Sequence, residues 1–349
     1  MSQASLITHP LNCEYLTGFR SSKSFLLNTP NKSYLFTDAR YFERATKINF
    51  SKILKRHLEI KLIDKQLKAT LTNLSQKHQL SSLTYEASHL TVAQFKQFKK
   101  LFKKIRWVEN SLNTEKLRAI KSTSEIVKIR KSQTINEQIF YSLRGALSNG
   151  VSELDIALMI KRLSYQYGAD GISFEPIIAF GNHTSIPHHE NTNRKLKRGD
   201  LILIDMGILY KRYASDMTRM LFTKAPTKQQ ETIYNLVLEA QEKAIINLKP
   251  KQIASKLYKI ANDHFKIAGL ATNFTHALGH GIGLEVHELP NLAVKGKEVL
   301  KPGMIVTCEP GLYFPNKFGI RIEDMLLITK TGSQNLTKVP KLIKDCVLS

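Results

Sequence analysis

An α+β fold in two domains is predicted, on three observations. The chain has 349 residues, 42% of them hydrophobic and 23% charged, enough for about two domains with a sizeable core. Its strand-like and helix-like stretches come in mixed order, as in an antiparallel sheet with helices, not in the regular βαβ alternation of a doubly wound fold. The texture also changes near residues 110 to 121, which divides the chain into a smaller amino-terminal α/β domain, residues 1–115, and a larger domain, residues 116–349. With 17 glycines and 11 prolines there is little room for long disordered or collagen-like tracts.

The elements follow in order. "SFLLNTP" from Ser24 and "SYLFTDA" from Ser33 are apolar runs separated by Pro and Asn, read as a hairpin or as neighbouring strands. "FKQFKKLFKKIRW" sets Phe95, Phe98, Leu101, Phe102 and Ile105 at helical spacing with lysines between them, so an amphipathic helix is expected from about Thr91 to Lys104. A strand around "RWVEN" follows. From Ser122, a Ser/Thr cap ahead of Glu125 opens a helix whose spacing continues towards Gly150. Helices are expected again at about 228–248 and 252–268, among strands rich in Ile, Val and Leu. No short-period repeat is visible.

Lysine and arginine outnumber the acids 52 to 29, a net charge of +23 that raises the question of an anionic partner. The excess is diffuse: residues 1–120 carry 21 basic and 8 acidic side chains, the remainder 31 and 21. Its densest piece, the lysine-rich helix, is read as a core-packed helix with a solvated lysine face, and no nucleic-acid-binding signature accompanies it. Nucleic acid is therefore not the expected partner. Cys13, Cys308 and Cys346 are far apart and odd in number, which predicts reduced thiols and neither a disulfide framework nor a zinc knuckle. The opening residues lack a basic segment followed by a long apolar stretch, and no run reaches the ~18 apolar residues of a membrane span. A cytoplasmic protein without membrane attachment is expected.

The chemistry concentrates in the second domain. Seven of the 11 histidines fall between His183 and His287, and carboxylates stand inside or beside apolar strands, where an unpaired charge costs several kcal/mol. "DLILIDMGILY" places Asp205 after four apolar residues, and "YASDMTRM" places Asp216 eleven positions on. Strands joined by a turn around Tyr210 to Arg212 would set the two side by side. "GHGIGLEVHE" presents His280 between glycines, with His287 seven residues later and His276 one helical turn earlier in spacing. "MIVTCEP" puts Glu309 at a strand end, and "GIRIEDMLLIT" puts Glu323 in a strand, flanked by Arg321 and Asp324. Four acids and one imidazole converge if these strands share a sheet. Oxygen donors with one nitrogen favour Mn²⁺, Co²⁺, Fe²⁺ or Mg²⁺ over the Cys/His set of structural zinc. Four carboxylates are neutralised by two divalent ions, so a dinuclear centre for metal-assisted hydrolysis is expected.

At this point the chain resembles the metallopeptidases of the "pita-bread" fold, which include methionine aminopeptidase, aminopeptidase P and prolidase. The resemblance rests on "PHHENTNRKLKRGDLILIDMG", "SDMTR", "HALGHGIGLEVHELP", "CEPGLY" and "GIRIED", in the family's order and spacing. It extends through "NCEYLTGF" and "YLFTDARY", which look like the amino-terminal domain of prolidases and aminopeptidases P. By that resemblance Asp205 is a chelating ligand of one metal, Asp216 and Glu323 bridge, and His280 and Glu309 complete the other metal's shell. It further implies that Glu309 shuttles the proton of the attacking water, that His276 and His287 contact the scissile carbonyl and its oxyanion, that His188 stands on the opposite wall, and that Arg321 lies near the bridging Glu. His183, His189 and Thr218 are read equally as polar loop or supporting residues. The implied activity is hydrolysis of the bond preceding proline, in Xaa-Pro dipeptides or in longer peptides with amino-terminal Xaa-Pro, by a hydroxide bridging two divalent ions, Mn²⁺ first and Co²⁺ or Fe²⁺ after it. A homodimer is implied as well. Asn291 stands where many prolidases have Arg, and Met220 where Thr is common, so the choice between dipeptidase and aminopeptidase stays open. The competing reading, a binding module of the same fold with a basic, nucleic-acid-directed surface, gains from the net charge but loses from the complete ligand set. Creatine-like amidine hydrolysis is disfavoured for the same reason.

Overall fold

A computed structural model describes residues 2–48, 52–54, 57–109 and 113–348. The chain divides into two units, Met1–Leu117 and Arg118–Ser349. The first is built on a six-stranded sheet in the order Leu58–Leu62, Ser33–Thr37, Ser24–Asn28, Ser2–Ile7, Leu80–Tyr85, Arg106–Glu109. The three middle strands are antiparallel and the outer pairings parallel, so the two apolar runs near the start do form an antiparallel pair, Ser24 opposite Thr37. Successive residues of these strands alternate between two cores. Phe25, Leu27, Tyr34 and Phe36 pack with Leu71, Leu83 and Phe102, whereas Leu26 and Leu35 pack with Cys13, Leu16 and Phe19. Both faces are covered, which is why these strands read as continuous apolar runs.

The lysine-rich helix is shorter than its periodicity predicts. It spans Val92–Leu101, opened by a capping box between Thr91 and Gln94, and stops where Phe102 leaves helical geometry to bury its ring. Lys104 then takes φ = 59°, which ends any continuation. Phe98, Leu101 and Ile105 pack on the sheet's core and Lys96, Lys99 and Lys100 are solvated, so the arrangement is that of a core-packed helix. The strand of "RWVEN" covers Arg106–Glu109, and Asn110 lies outside the described residues.

The second unit is antiparallel throughout its sheets. Three strands run in the order Met217–Phe222, Leu201–Met206, Ile177–Phe180, and five in the order Glu288–Asn291, His280–Gly281, Ile305–Cys308, Asp324–Ile328, Ser333–Asn335. Gly311–Phe314 and Phe318–Arg321 form a further hairpin. Helices Thr123–Arg144, Glu153–Gln166, Lys228–Asn247 and Ala254–Ile267 pack on these sheets through one large core. The first begins at the expected Ser122–Glu125 capping box but ends at Gly145, five residues short of Gly150, because Leu147 turns inward to the core and Gly150 adopts φ = 92°. All three cysteines are buried free thiols. Among the described residues no helix is long and apolar enough to cross a membrane.

Candidate metal centre

The strand Leu201–Met206 delivers Asp205, and its antiparallel partner Met217–Phe222 delivers Asp216 from just outside its first residue. Between them a small hairpin, Ile208–Tyr210 with Tyr213–Ala214, turns through Lys211 and Arg212 at φ = 46° and 74°. Register pairs Asp205 directly with Thr218, so Asp216 is its diagonal neighbour and not the side-by-side partner expected from the sequence. The pleat still sends Asp205, Asp216 and Thr218 to one face. The intervening Met217 and Arg219 point the other way.

His280 enters on the two-residue strand His280–Gly281, squeezed between its neighbours. A Cβ on Gly279 would stand 2.1 Å from the Thr307 carbonyl oxygen, and one on Gly281 2.1 Å from that of Leu289. The glycines of "GHG" are thus what lets two backbones approach the imidazole. His276 lies in a loop after the short turn Ala271–Asn273, so its spacing to His280 does not reflect a helix. Glu309 follows the strand Ile305–Cys308 as expected. Glu323 is not within a strand: it occupies the joint between Phe318–Arg321 and Asp324–Ile328, held by its own N–H to the Thr218 carbonyl at 3.2 Å.

These segments bring Asp216, His280 and Glu323 together, one donor atom of each lying within 4.8 Å of the others. His280 Nε2 is 3.7 Å from Asp216 Oδ2 and 3.2 Å from Glu309 Oε1. Asp205 joins through Arg321, whose Nη2 donates to Asp205 Oδ2 at 2.6 Å while its Nε donates to Thr218 Oγ1, which itself donates to Glu323 Oε2 at 2.8 Å. Asp205, Asp216, Glu323 and Arg321 are all buried.

Three buried oxygens of this cluster, Asp205 Oδ1, Asp216 Oδ1 and Glu323 Oε1, accept no hydrogen bond from the described residues. One orphaned acceptor is costly; three on converging carboxyls form a cradle fit for cations. The electrostatics agree. Burial, then the charges of Glu323 and Asp205, push Asp216 well above its ordinary value, and burial, then Glu309 and Asp205, do the same to Glu323. Burial also raises Asp205, against the pull of Arg321. Glu309 is the exception: burial pushes it up, but the hydrogen bond and charge of His280 bring it down to about 2. His280 is raised in turn, the Glu309 contact outweighing burial. Burial, and after it the site's own repulsion, disfavours the ionised forms of Asp205, Asp216 and Glu323, and bound cations would offset both.

Around this cradle stand the remaining residues. His276 Nδ1 lies 2.8 Å from the Ala277 carbonyl and so carries the proton, leaving Nε2 to accept from Tyr313 Oη at 2.9 Å. Arg321 Nη1 donates to the same Tyr313 oxygen at 2.7 Å. Both nitrogens of His276 are therefore engaged within the protein. His287 is exposed, its ring edge-on to His280 at 4.3 Å. His188 is exposed too, near enough for its charge to lower both His276 and His287. Its loop is pinned by Glu153, which accepts from His183 Nδ1, His189 Nε2, Phe180 N, Thr192 N and Thr192 Oγ1. His183 and His189 are thus supports of that loop. Asp324 pairs behind the site with the buried Arg219 at 2.7 Å and with Lys341, and Arg219 also donates to the Glu323 carbonyl. Met220 is buried, and Asn291 is exposed opposite His280 in the strand register. Tyr313 and Glu153 escaped the sequence reading. Tyr313 had a signal in the alternation Glu309, Gly311, Tyr313; Glu153, in a helix's first turn, looked like any acidic cap residue.

Comparison with known proteins decides the family. Residues 127–330 match Metallopeptidase family M24, and residues 2–120 match the Creatinase/Prolidase N-terminal domain. An uncharacterized peptidase of Bacillus subtilis is 33% identical over 336 residues, 96% of this chain and 94% of its own. The chain belongs to metallopeptidase family M24. Its fold is the pita-bread fold carrying the amino-terminal domain of that family. Among solved structures, a Xaa-Pro dipeptidase from Bacillus anthracis superposes with a TM-score of 0.91 at 30% identity, covering 99% of this chain and 95% of that one. An X-Pro aminopeptidase from Thermotoga maritima gives 0.87 at 28%, covering 99% and 97%.

Proposed function

We propose that this M24 enzyme hydrolyses the peptide bond preceding proline, in Xaa-Pro dipeptides or in peptides beginning Xaa-Pro, with two divalent ions held by Asp205, Asp216, His280, Glu309 and Glu323. The observation that carries the reading is the set of three orphaned, mutually repelling carboxylate oxygens beside one imidazole. Ions in that cradle would lower the pKa of water to near neutrality and polarise the scissile carbonyl. Glu309 is kept ionised by His280 and can take the proton of the attacking water and return it to the proline nitrogen, which lacks an N–H of its own. His287, exposed beside His280, is placed to donate to the developing oxyanion, and His188 to close the opposite wall. Arg321, Tyr313 and His276 form a chain of donors that fixes Asp205 at one end and the loop of His276 at the other. His276 in this reading orients its neighbours.

The test is hydrolysis of Ala-Pro, Ala-Pro-Ala and a longer Xaa-Pro peptide by the Mn²⁺-supplemented protein. Cleavage before proline that disappears in Asp216→Ala and Glu323→Ala is expected. Full activity in either variant, or cleavage indifferent to proline, would overturn the proposal. The ranking of the three peptides separates dipeptidase from aminopeptidase.

A further inference from the structure

A second group of metal-type donors belongs to the first unit. His9 immediately precedes the helix Pro10–Thr17, His89 follows the strand Leu80–Tyr85, and Glu115 belongs to the helix Asn113–Ala119. One donor atom from each lies within 4.8 Å of the other two. The two imidazoles are stacked, centroids 3.9 Å apart and 15° from parallel. His89 Nε2 is 2.7 Å from Glu115 Oε1, and Asn12 Nδ2 donates to that same oxygen at 2.7 Å. Glu115 Oε2 is buried and accepts no hydrogen bond from the described residues.

The supporting residues are built as they are around metal ligands. Glu86, 3% exposed, accepts from Thr8 N, Thr8 Oγ1, His9 N and Asn12 Nδ2, so its carboxylate is saturated and serves to hold the His9 and Asn12 segment in place. Asn12 bridges it to Glu115. Three segments distant in sequence meet at this point. An ordinary His–Glu pair explains the His89 contact but not the buried Glu115 oxygen that accepts no hydrogen bond from the described residues.

We propose that His9, His89 and Glu115 bind one divalent transition ion of the imidazole-favouring class, Zn²⁺ being the representative, as a site separate from the Asp205–Glu323 cradle. Two imidazoles and a carboxylate match the borderline donor set of Zn²⁺, Co²⁺ and Ni²⁺, in contrast to the oxygen-rich cradle. The ion ties three separate segments, so its role is that of a staple: it would hold Glu115 to the segments of His9 and His89 within the first unit.

The experiment uses the full chain carrying Asp216→Asn and Glu323→Gln, which removes ligands of the proposed catalytic centre, stripped with chelator and titrated with Zn²⁺ by calorimetry. One bound equivalent is expected, lost on adding His89→Gln or Glu115→Gln, with an accompanying Zn²⁺-dependent rise in Tm that is lost in the same variants. Co²⁺ in place of Zn²⁺ should give a visible absorption band that disappears in parallel. Circular dichroism certifies folding, and if the combined background does not fold, His89→Gln in the otherwise wild-type chain should lower total bound Zn²⁺ by one equivalent. Absence of that equivalent, or its survival in both His89→Gln and Glu115→Gln, would overturn the proposal without bearing on Xaa-Pro hydrolysis.

Discussion

Asp216→Asn should stabilise the ion-free protein and abolish its stabilisation by divalent ions. Asp216 is 4% exposed, with an oxygen within 4.8 Å of a Glu323 donor oxygen. At that separation two unit charges repel by about 3 kcal/mol for an effective dielectric of about 20. Protonation relieves part of this, so a gain of roughly 1 to 3 kcal/mol is expected near pH 8, about 2 to 12 °C in Tm for a unit of this size. The sign with pH follows from the raised folded-state values of Asp205, Asp216 and Glu323. Over the interval above the ordinary carboxylate pKa of about 4, the folded state binds more protons than the unfolded state. Stability of the stripped wild type therefore falls as pH climbs through the raised values, and Asp216→Asn flattens that fall. Mn²⁺ should restore the wild type and leave the variant unmoved. Thermal denaturation in chelator and in Mn²⁺, from pH 5 to 9, reads all of this. A variant less stable than the wild type in chelator at pH 8, with no pH slope in the wild type, would refute the reasoning.

Tyr313→Phe strips a partner from both His276 Nε2 and Arg321 Nη1; kcat on a Xaa-Pro peptide should fall roughly 10- to 100-fold with bound metal retained, by steady-state kinetics and metal analysis. Glu153→Gln opposes an amide N–H₂ to a site filled by five donors; a loss of about 2 to 4 kcal/mol is expected in urea unfolding, together with a raised KM from the loosened His188 loop. Gly281→Ala drives a methyl group against the Leu289 backbone and should cost more than about 3 kcal/mol, seen as a collapse of Tm or of soluble yield.

Much of the site was legible because its chemistry is expensive to hide. Asp205 and Glu323 interrupt apolar stretches of the sequence, and an acid there is rare unless something neutralises it. The details that failed depend on register and on backbone shape. The turn lies where the sequence places it, but closing on the two residues Lys211 and Arg212 it sets Asp205 opposite Thr218 and leaves Asp216 one diagonal step away. His276 mimics a helical interval from within a loop, and Glu323 leaves its strand so that its backbone can reach Thr218. Helix ends were missed where tertiary packing overrode periodicity, at Phe102 and Leu147, whose side chains are buried only if the helix has already stopped. The supports Tyr313 and Glu153 act through hydrogen bonds between segments far apart in sequence, which no local pattern encodes.

Crystals grown with Mn²⁺ and measured at the manganese absorption edge test the central claim most directly. Two anomalous peaks about 3.5 to 4 Å apart, both touching Asp216 and Glu323, with Asp205 on one and His280 and Glu309 on the other, are predicted. No peak in the cradle, or ions bound elsewhere while those carboxylates turn to protein partners, would contradict it.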